Sequence, residues 1–215
     1  MPHRTRIKIC GLTREADVDA AVEAGADAIG LVLYDRSPRH VDVARAAELA
    51  RRLPPFVTPV GLFVNAAPAL IDAAVRAIPQ LVLQFHGDET PAVCGAPARP
   101  FLRAARIVPG FDLLNFALRY PDAQALLLDA HVEGYGGGGK VFDWSLIPPD
   151  VPRPVVLSGG LHAGNVIEGI LRVRPWAVDV SSGVEVAKGI KDAEAIRRFC
   201  EAVREADARI ASTEA

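Results

Sequence analysis

The chain has 215 residues, is half hydrophobic by count and carries a formal net charge of −2. That balance suits one globular domain with a full core and gives no electrostatic reason to expect a nucleic acid partner. Charge or proline breaks each apolar run within about ten residues, too short to span a bilayer, so no membrane partner is expected either.

The N-terminal "MPHRTRIK" is basic, but no apolar signal-peptide core follows it. The first strand is predicted at 6–10, "RIKIC", and ends in Cys10-Gly11. Thr13 reads as the N-cap of a helix whose stripe is Ala16, Ala20, Ala21 and Ala24 and which Gly25 stops. A second strand at 28–33 leads into "YDRSPRHV", and a helix over 43–53 ends at Pro54. A strand at 59–64 and a helix at 68–78 follow, then a strand at 81–85 running into "QFHGDE" and a short helix at 89–94. The pattern repeats with a strand at 101–107 and a helix at 112–119. A strand at 125–129 ends in Asp129, with a short helical stretch at 143–147 beyond it. The last pairs are strand 155–157 with helix 165–172, and strand 177–180 with helix 193–208. The end of the chain, from about residue 209 in "ADARIASTEA", reads as frayed.

Several of these strands are continuous apolar runs, as expected for parallel strands covered on both faces. Strand and helix alternate eight times in roughly 200 residues, which predicts an α/β fold, a (β/α)8 TIM barrel. A doubly wound open sheet is the alternative, but it needs no eighth strand. No composition shift marks a domain boundary, so residues 1–215 are read as one domain.

In such barrels the site lies at the C-terminal ends of the strands, and the polar groups of this chain gather there. Strands seven and eight run into Ser158-Gly159-Gly160 and Ser181-Ser182-Gly183. Glycine lets backbone N–H groups approach a ligand, and a following helix N-terminus favours an anion. The same glycines could merely make tight turns, but two such loops side by side favour phosphate. The stretch "YGGGGK" at 135–140 lacks the Walker spacing and reads as a lid or a plain linker.

Asp129 ends a run of three leucines, where partial desolvation favours the protonated form and suits a general acid; a structural hydrogen-bond acceptor is the alternative. Cys10, at a strand end above the barrel, is a candidate reactive thiol. Cys94 and Cys200 read as small buried hydrophobes. Three widely spaced cysteines form no disulfide framework and imply reduced thiols in the cytoplasm. No CxxC or HExxH spacing points to a metal. Lys8 shares its side of the strand with Cys10, and a lysine inside a barrel needs a partner. Asp179 on strand eight is the expected one, because strand eight closes on strand one. His86 and Asp179 are candidate substrate contacts by position alone. Arg39 in "RSPRH" could grip a carboxylate with its planar fork, and so could Arg36.

The motifs "KICGLT", "GADAIGLVLYDRSPRHV", "VGLFVN", "LQFHGDE", "LLLDA…GGGGKVFDW", "VLSGGL…NV" and "AVDVSSGVE…GIKD" run in order along nearly the whole chain. Together they resemble the phosphoribosylanthranilate isomerases of tryptophan biosynthesis. Phe85 stands where leucine is commoner in "QLHG", and "GGGG" where a Ser or Thr often interrupts the glycines. The resemblance implies an Amadori rearrangement of N-(5-phosphoribosyl)anthranilate, with Cys10 as general base and Asp129 as general acid. It further implies that Arg39 binds the anthranilate carboxylate. The phosphate would lie on Gly159, Gly160, Ser181, Ser182 and Gly183. No metal or organic cofactor is implied, because the substrate's own nitrogen is the electron sink. The expected partner is the small phosphorylated sugar substrate, with the chain a monomer or homodimer. A related histidine-pathway isomerase would be expected to carry aspartate at position 10. A metal-dependent epimerase would need His and Asp ligands at several strand ends. A non-catalytic barrel would have no reason to keep both Cys10 and Asp129.

Overall fold

The computed structural model describes residues 4–130 and 142–214. Eight parallel strands close into a barrel in sequence order, which excludes the open doubly wound sheet. They are β1 (Arg6–Cys10), β2 (Ala28–Val32), β3 (Thr58–Phe63), β4 (Val82–Phe85), β5 (Phe101–Ile107), β6 (Ala125–Ala130), β7 (Val155–Leu157) and β8 (Ala177–Val180). Closure pairs β8 with β1, Asp179 lying opposite Lys8 in the register. The apolar runs follow from this closure. Buried by helices outside and by side-chain layers inside, Ile9, Ile29, Leu31, Leu83, Leu126 and Leu128 have no face turned to water.

The helices are α1 (Glu15–Glu23), α2 (Val43–Ala50), α3 (Pro68–Ala77), α4 (Pro91–Gly95), α5 (Leu113–Arg119), α6 (Val166–Val173) and α7 (Ala193–Glu214). Caps set several boundaries. Asp42, Thr90 and Asp112 each accept from the backbone N–H three residues on, and Pro68 and Pro91 sit where a helix start has no use for their missing N–H. Thr13 does not cap α1. Its hydroxyl donates to Gly189 O at 2.6 Å, and Arg14 stands at the N-cap with no side-chain cap bond. The expected frayed end is also corrected. Helix α7 continues to Glu214, because Val203, Ala206 and Ile210 extend its buried stripe at helical spacing.

One element has no counterpart in the sequence reading. A short antiparallel hairpin, β9 (Glu185–Ala187) and β10 (Ile190–Lys191), stands between β8 and α7. Thr13 holds it through Gly189, Arg14 donates to Lys191 O, and Lys191 N donates to Asp17 Oδ2. The hairpin is thereby tied to the start of α1, beside the end of β1.

Candidate active site

Cys10 is the last residue of β1 and is buried. Its neighbour across the ladder is Gly30 on β2. A Cβ on Gly30 would lie 2.5 Å from the Cys10 Sγ, so only glycine leaves the thiol its seat. Gly11, with φ of +78°, turns the chain away immediately after.

Two residues back on the same face, Lys8 Nζ lies 2.7 Å from Asp179 Oδ1, and both side chains are buried. The pair expected from barrel closure is therefore formed. Ser158 Oγ donates to the other oxygen, Asp179 Oδ2, at 3.3 Å. Burial pushes the Cys10 thiol up, and Lys8 beside it works in the opposite direction, with Lys191 a weaker helper; the net shift is upward. Burial pulls Lys8 down, but Asp179 and Cys10 more than offset it and hold the ammonium above the usual lysine range.

Asp129, at the end of β6, is buried with its Oδ1 accepting from Ala130 N at 2.9 Å. Its Oδ2 lies 3.2 Å from His86 Nε2. His86 Nδ1 lies 3.1 Å from Gln84 Nε2, two residues earlier on β4. Both ring nitrogens of His86 are thus engaged, Nδ1 by Gln84 and Nε2 by Asp129, which fixes the ring beside the acid. Gly159, with φ of +82°, packs directly on the acid: a Cβ there would come within 2.6 Å of Ala130 N and 2.9 Å of Asp129 Oδ1. The contacts form one chain around the barrel mouth. It runs from Cys10 and Lys8, two residues apart on one face of β1, through Asp179, Ser158 and the adjoining Gly159 to Asp129, and on to His86 and Gln84.

Arg39 is buried, whereas Arg36 is exposed, which separates the two arginines of "RSPRH". The Arg39 stem lies against Gly11, where a Cβ would meet Arg39 Cδ. Its fork is not idle. Nε and Nη2 donate to Glu185 Oε1 and Oε2, each at 2.7 Å. Lys191 Nζ also reaches Glu185 Oε1 at 2.8 Å and Ser181 O at 3.0 Å. Burial pushes the Glu185 carboxyl up, but the hydrogen bonds from Arg39 and Lys191 win and hold it below its ordinary value.

The glycine loops lie side by side. A Cβ on Gly183 would meet Leu161 O, so the turn after β8 touches the backbone that follows Gly160. Gly159 and Gly160 both take positive φ. No backbone carbonyl among the described residues accepts from the N–H of Gly160, Ser182 or Gly183. Asn165 braces this loop, donating to Gly160 O at 3.0 Å and accepting from His162 N at 2.8 Å. Behind it α6 begins, as expected. Behind Ser181-Ser182-Gly183, however, stand a 3-10 turn (Ser182–Val184) and the hairpin rather than a helix N-terminus. The "YGGGGK" stretch lies outside the described residues.

Sequence reasoning missed Gln84, Glu185 and Lys191. Gln84 carried a signal, a polar residue inside an apolar strand and two positions from His86, hence on the same face. The other two meet Arg39 only through the hairpin.

Residues 7–202 match the family model described as N-(5'-phosphoribosyl)anthranilate (PRA) isomerase. An N-(5'-phosphoribosyl)anthranilate isomerase of Methylibium petroleiphilum is 77% identical over 211 residues, spanning 98% of this chain and 99% of that one. A crystal structure of the phosphoribosyl anthranilate isomerase of Thermotoga maritima superposes with a TM-score of 0.86 at 41% identity, over 94% of this chain and 99% of that one. A second phosphoribosyl anthranilate isomerase structure, in complex with reduced 1-(o-carboxyphenylamino)-1-deoxyribulose 5-phosphate, gives a TM-score of 0.83 at 38% identity, over 94% and 99% of the two chains.

Proposed function

The chain belongs to the N-(5'-phosphoribosyl)anthranilate isomerase family and catalyses that isomerisation in tryptophan biosynthesis; we propose that Cys10 is its general base and Asp129 its general acid. The observation that carries the residue assignment is the contact chain that seats both groups on one barrel rim, each against a glycine that admits no side chain.

Asp129 gives its proton to the furanose ring oxygen. The C1–O bond breaks as the anilino nitrogen's lone pair forms the C1=N iminium. The iminium makes the hydrogen at sugar C2 acidic. The Cys10 thiolate takes that proton, and the C–H electrons become the C1=C2 bond of an enolamine. Tautomerisation places hydrogen on C1 and a ketone at C2, giving 1-(2-carboxyphenylamino)-1-deoxyribulose 5-phosphate. Lys8 supports the thiolate by charge, and Asp179 keeps Lys8 in place. His86 holds Asp129 by its second oxygen, so its role is to position the acid.

The phosphate lies on the N–H groups of Gly160, Ser182 and Gly183, with Gly159 and Ser181 shaping the two turns. The anthranilate carboxylate lies on Arg39, whose buried place beside Cys10 supports the reading. Every named group comes from one subunit, so a monomer and a homodimer serve equally. Three free cysteines support a cytoplasmic location, and no helix of the described residues is long and apolar enough to cross a membrane. The test is fluorescence loss on turnover of phosphoribosylanthranilate by Asp129→Asn. An amide cannot donate the proton, so kcat should fall by about 10²–10⁴-fold. A variant that turns over at the wild-type rate removes Asp129 from the mechanism.

A further inference from the structure

Among the described residues Glu185 is the one carboxylate that meets Arg39, and its geometry is specific. A guanidinium offers five N–H donors on two usable edges. The Nε/Nη2 edge is filled by both oxygens of Glu185 at 2.7 Å each. Among the described residues Nη1 has no acceptor, so the terminal Nη1/Nη2 edge keeps its donors for a second carboxylate. Glu185 is itself fixed from behind, by Lys191 Nζ at 2.8 Å and by Gly189 N at 3.2 Å. Lys191 and Glu185 are cross-strand partners in the hairpin, which Thr13, Arg14 and Asp17 tie to the β1–α1 junction. The carboxylate is therefore placed by the backbone and not by a flexible stem. Two cations share it, which leaves the group with surplus positive charge for an anionic ligand.

We propose that Glu185 is a positioning residue: it sets the plane of Arg39 so that the terminal edge of the fork receives the aryl carboxylate of the substrate. The proposal rests on the assignment of that carboxylate to Arg39. It differs from a competitive arrangement, in which Glu185 would fill the substrate's place and leave on binding. The two are distinguished by sign. As support, Glu185 lowers KM; as competitor, it raises KM.

The experiment compares kcat and KM for wild type, Glu185→Gln, Glu185→Asp, Arg39→Ala and the Arg39→Ala/Glu185→Gln double variant. The substrates are phosphoribosylanthranilate and the phosphoribosylaniline analogue that lacks the carboxylate. Glutamine keeps the size but offers one acceptor to two donors, so KM should rise about 10-fold with kcat within about 2-fold. Aspartate keeps the charge and should recover part of the loss. The double variant should be no worse than Arg39→Ala alone, because Glu185 acts through Arg39. On the analogue the Glu185→Gln penalty should vanish. If Arg39→Ala raises KM but Glu185→Gln leaves it unchanged or lowers it, the positioning role is wrong and the Arg39 assignment stands. If Arg39→Ala leaves KM unchanged, both fall. Should Glu185→Gln fail to fold, Glu185→Asp decides: a KM rise seen with the natural substrate and not with the analogue supports the role, and an equal rise with both overturns it.

Discussion

Replacing Gly30 by alanine tests how closely the thiol is seated. The added Cβ would stand 2.5 Å from Cys10 Sγ, 3.0 Å from its Cα and 3.1 Å from its Cβ. An ordinary contact needs about 3.5 Å, so the sulfur must retreat by roughly 1 Å. The strands themselves are poorly able to give way. Gly30 O accepts from Gly11 N at 2.9 Å and from Leu12 N at 3.1 Å, and β2 is pinned on its other side by β3. Overpacking of this kind costs about 1–3 kcal/mol of stability. A displacement of about 1 Å at a reacting atom costs about 100-fold in rate. Gly30→Ala should therefore remain folded by circular dichroism, melt at lower temperature and lose about two orders of magnitude in kcat, with KM changed less, because the three atoms nearest the added methyl all belong to Cys10. A folded Gly30→Ala protein with wild-type kcat would refute the reasoning that this seat fixes the base.

Lys8→Met should leave Asp179 buried without its partner and cost about 3–5 kcal/mol by urea unfolding, while the Lys8→Met/Asp179→Leu pair recovers stability but not kcat. Burial holds the Cys94 and Cys200 thiols up to about 11. The folded state thus binds those protons more tightly, and the stability they contribute is present below the ordinary thiol value of about 8.5 and lost as pH climbs from there to about 11. Urea midpoints measured across that window should fall less steeply for Cys94→Ala/Cys200→Ala than for wild type; parallel curves would sink the idea. Arg39→Ala should raise KM and Arg39→Lys should recover only part, since a point charge cannot present a fork, whereas the exposed Arg36→Ala should bind substrate as wild type does.

The barrel was legible because short, largely apolar strands alternate with helices eight times, as strands buried on both faces do; β1, β5, β7 and β8 have the bounds expected of them, although charged residues interrupt β1, β5 and β8. The Lys8–Asp179 pair was legible for a topological reason, since closure of eight strands makes β8 the second neighbour of β1, opposite β2. The hairpin was not legible. Strands of three and two residues are too short to show alternation, and the glycine and two lysines of "VEVAKGIKD" read as a loop. With it went Glu185 and Lys191, whose meeting with Arg39 is made by the fold and not by spacing. The last turns of α7 were misread because Ser212 and Thr213 are weak helix formers and Ile210 is the one large apolar side chain there; Ala206 and Ile210 are spaced for a helix face, but that is a weak signal. Thr13 was misread because its hydroxyl is claimed by the same unforeseen hairpin.

The most direct measurement is single-turnover conversion of phosphoribosylanthranilate by Cys10→Ser, with enzyme in excess so that product release does not enter. Serine fits the seat at Gly30, and its hydroxyl is far less acidic than a thiol. The account predicts a protein that still binds substrate and still folds, but whose chemical step is slower by about 10²-fold or more. A Cys10→Ser protein that converts bound substrate as fast as wild type would contradict it, leaving the thiol as packing and the base elsewhere on the rim.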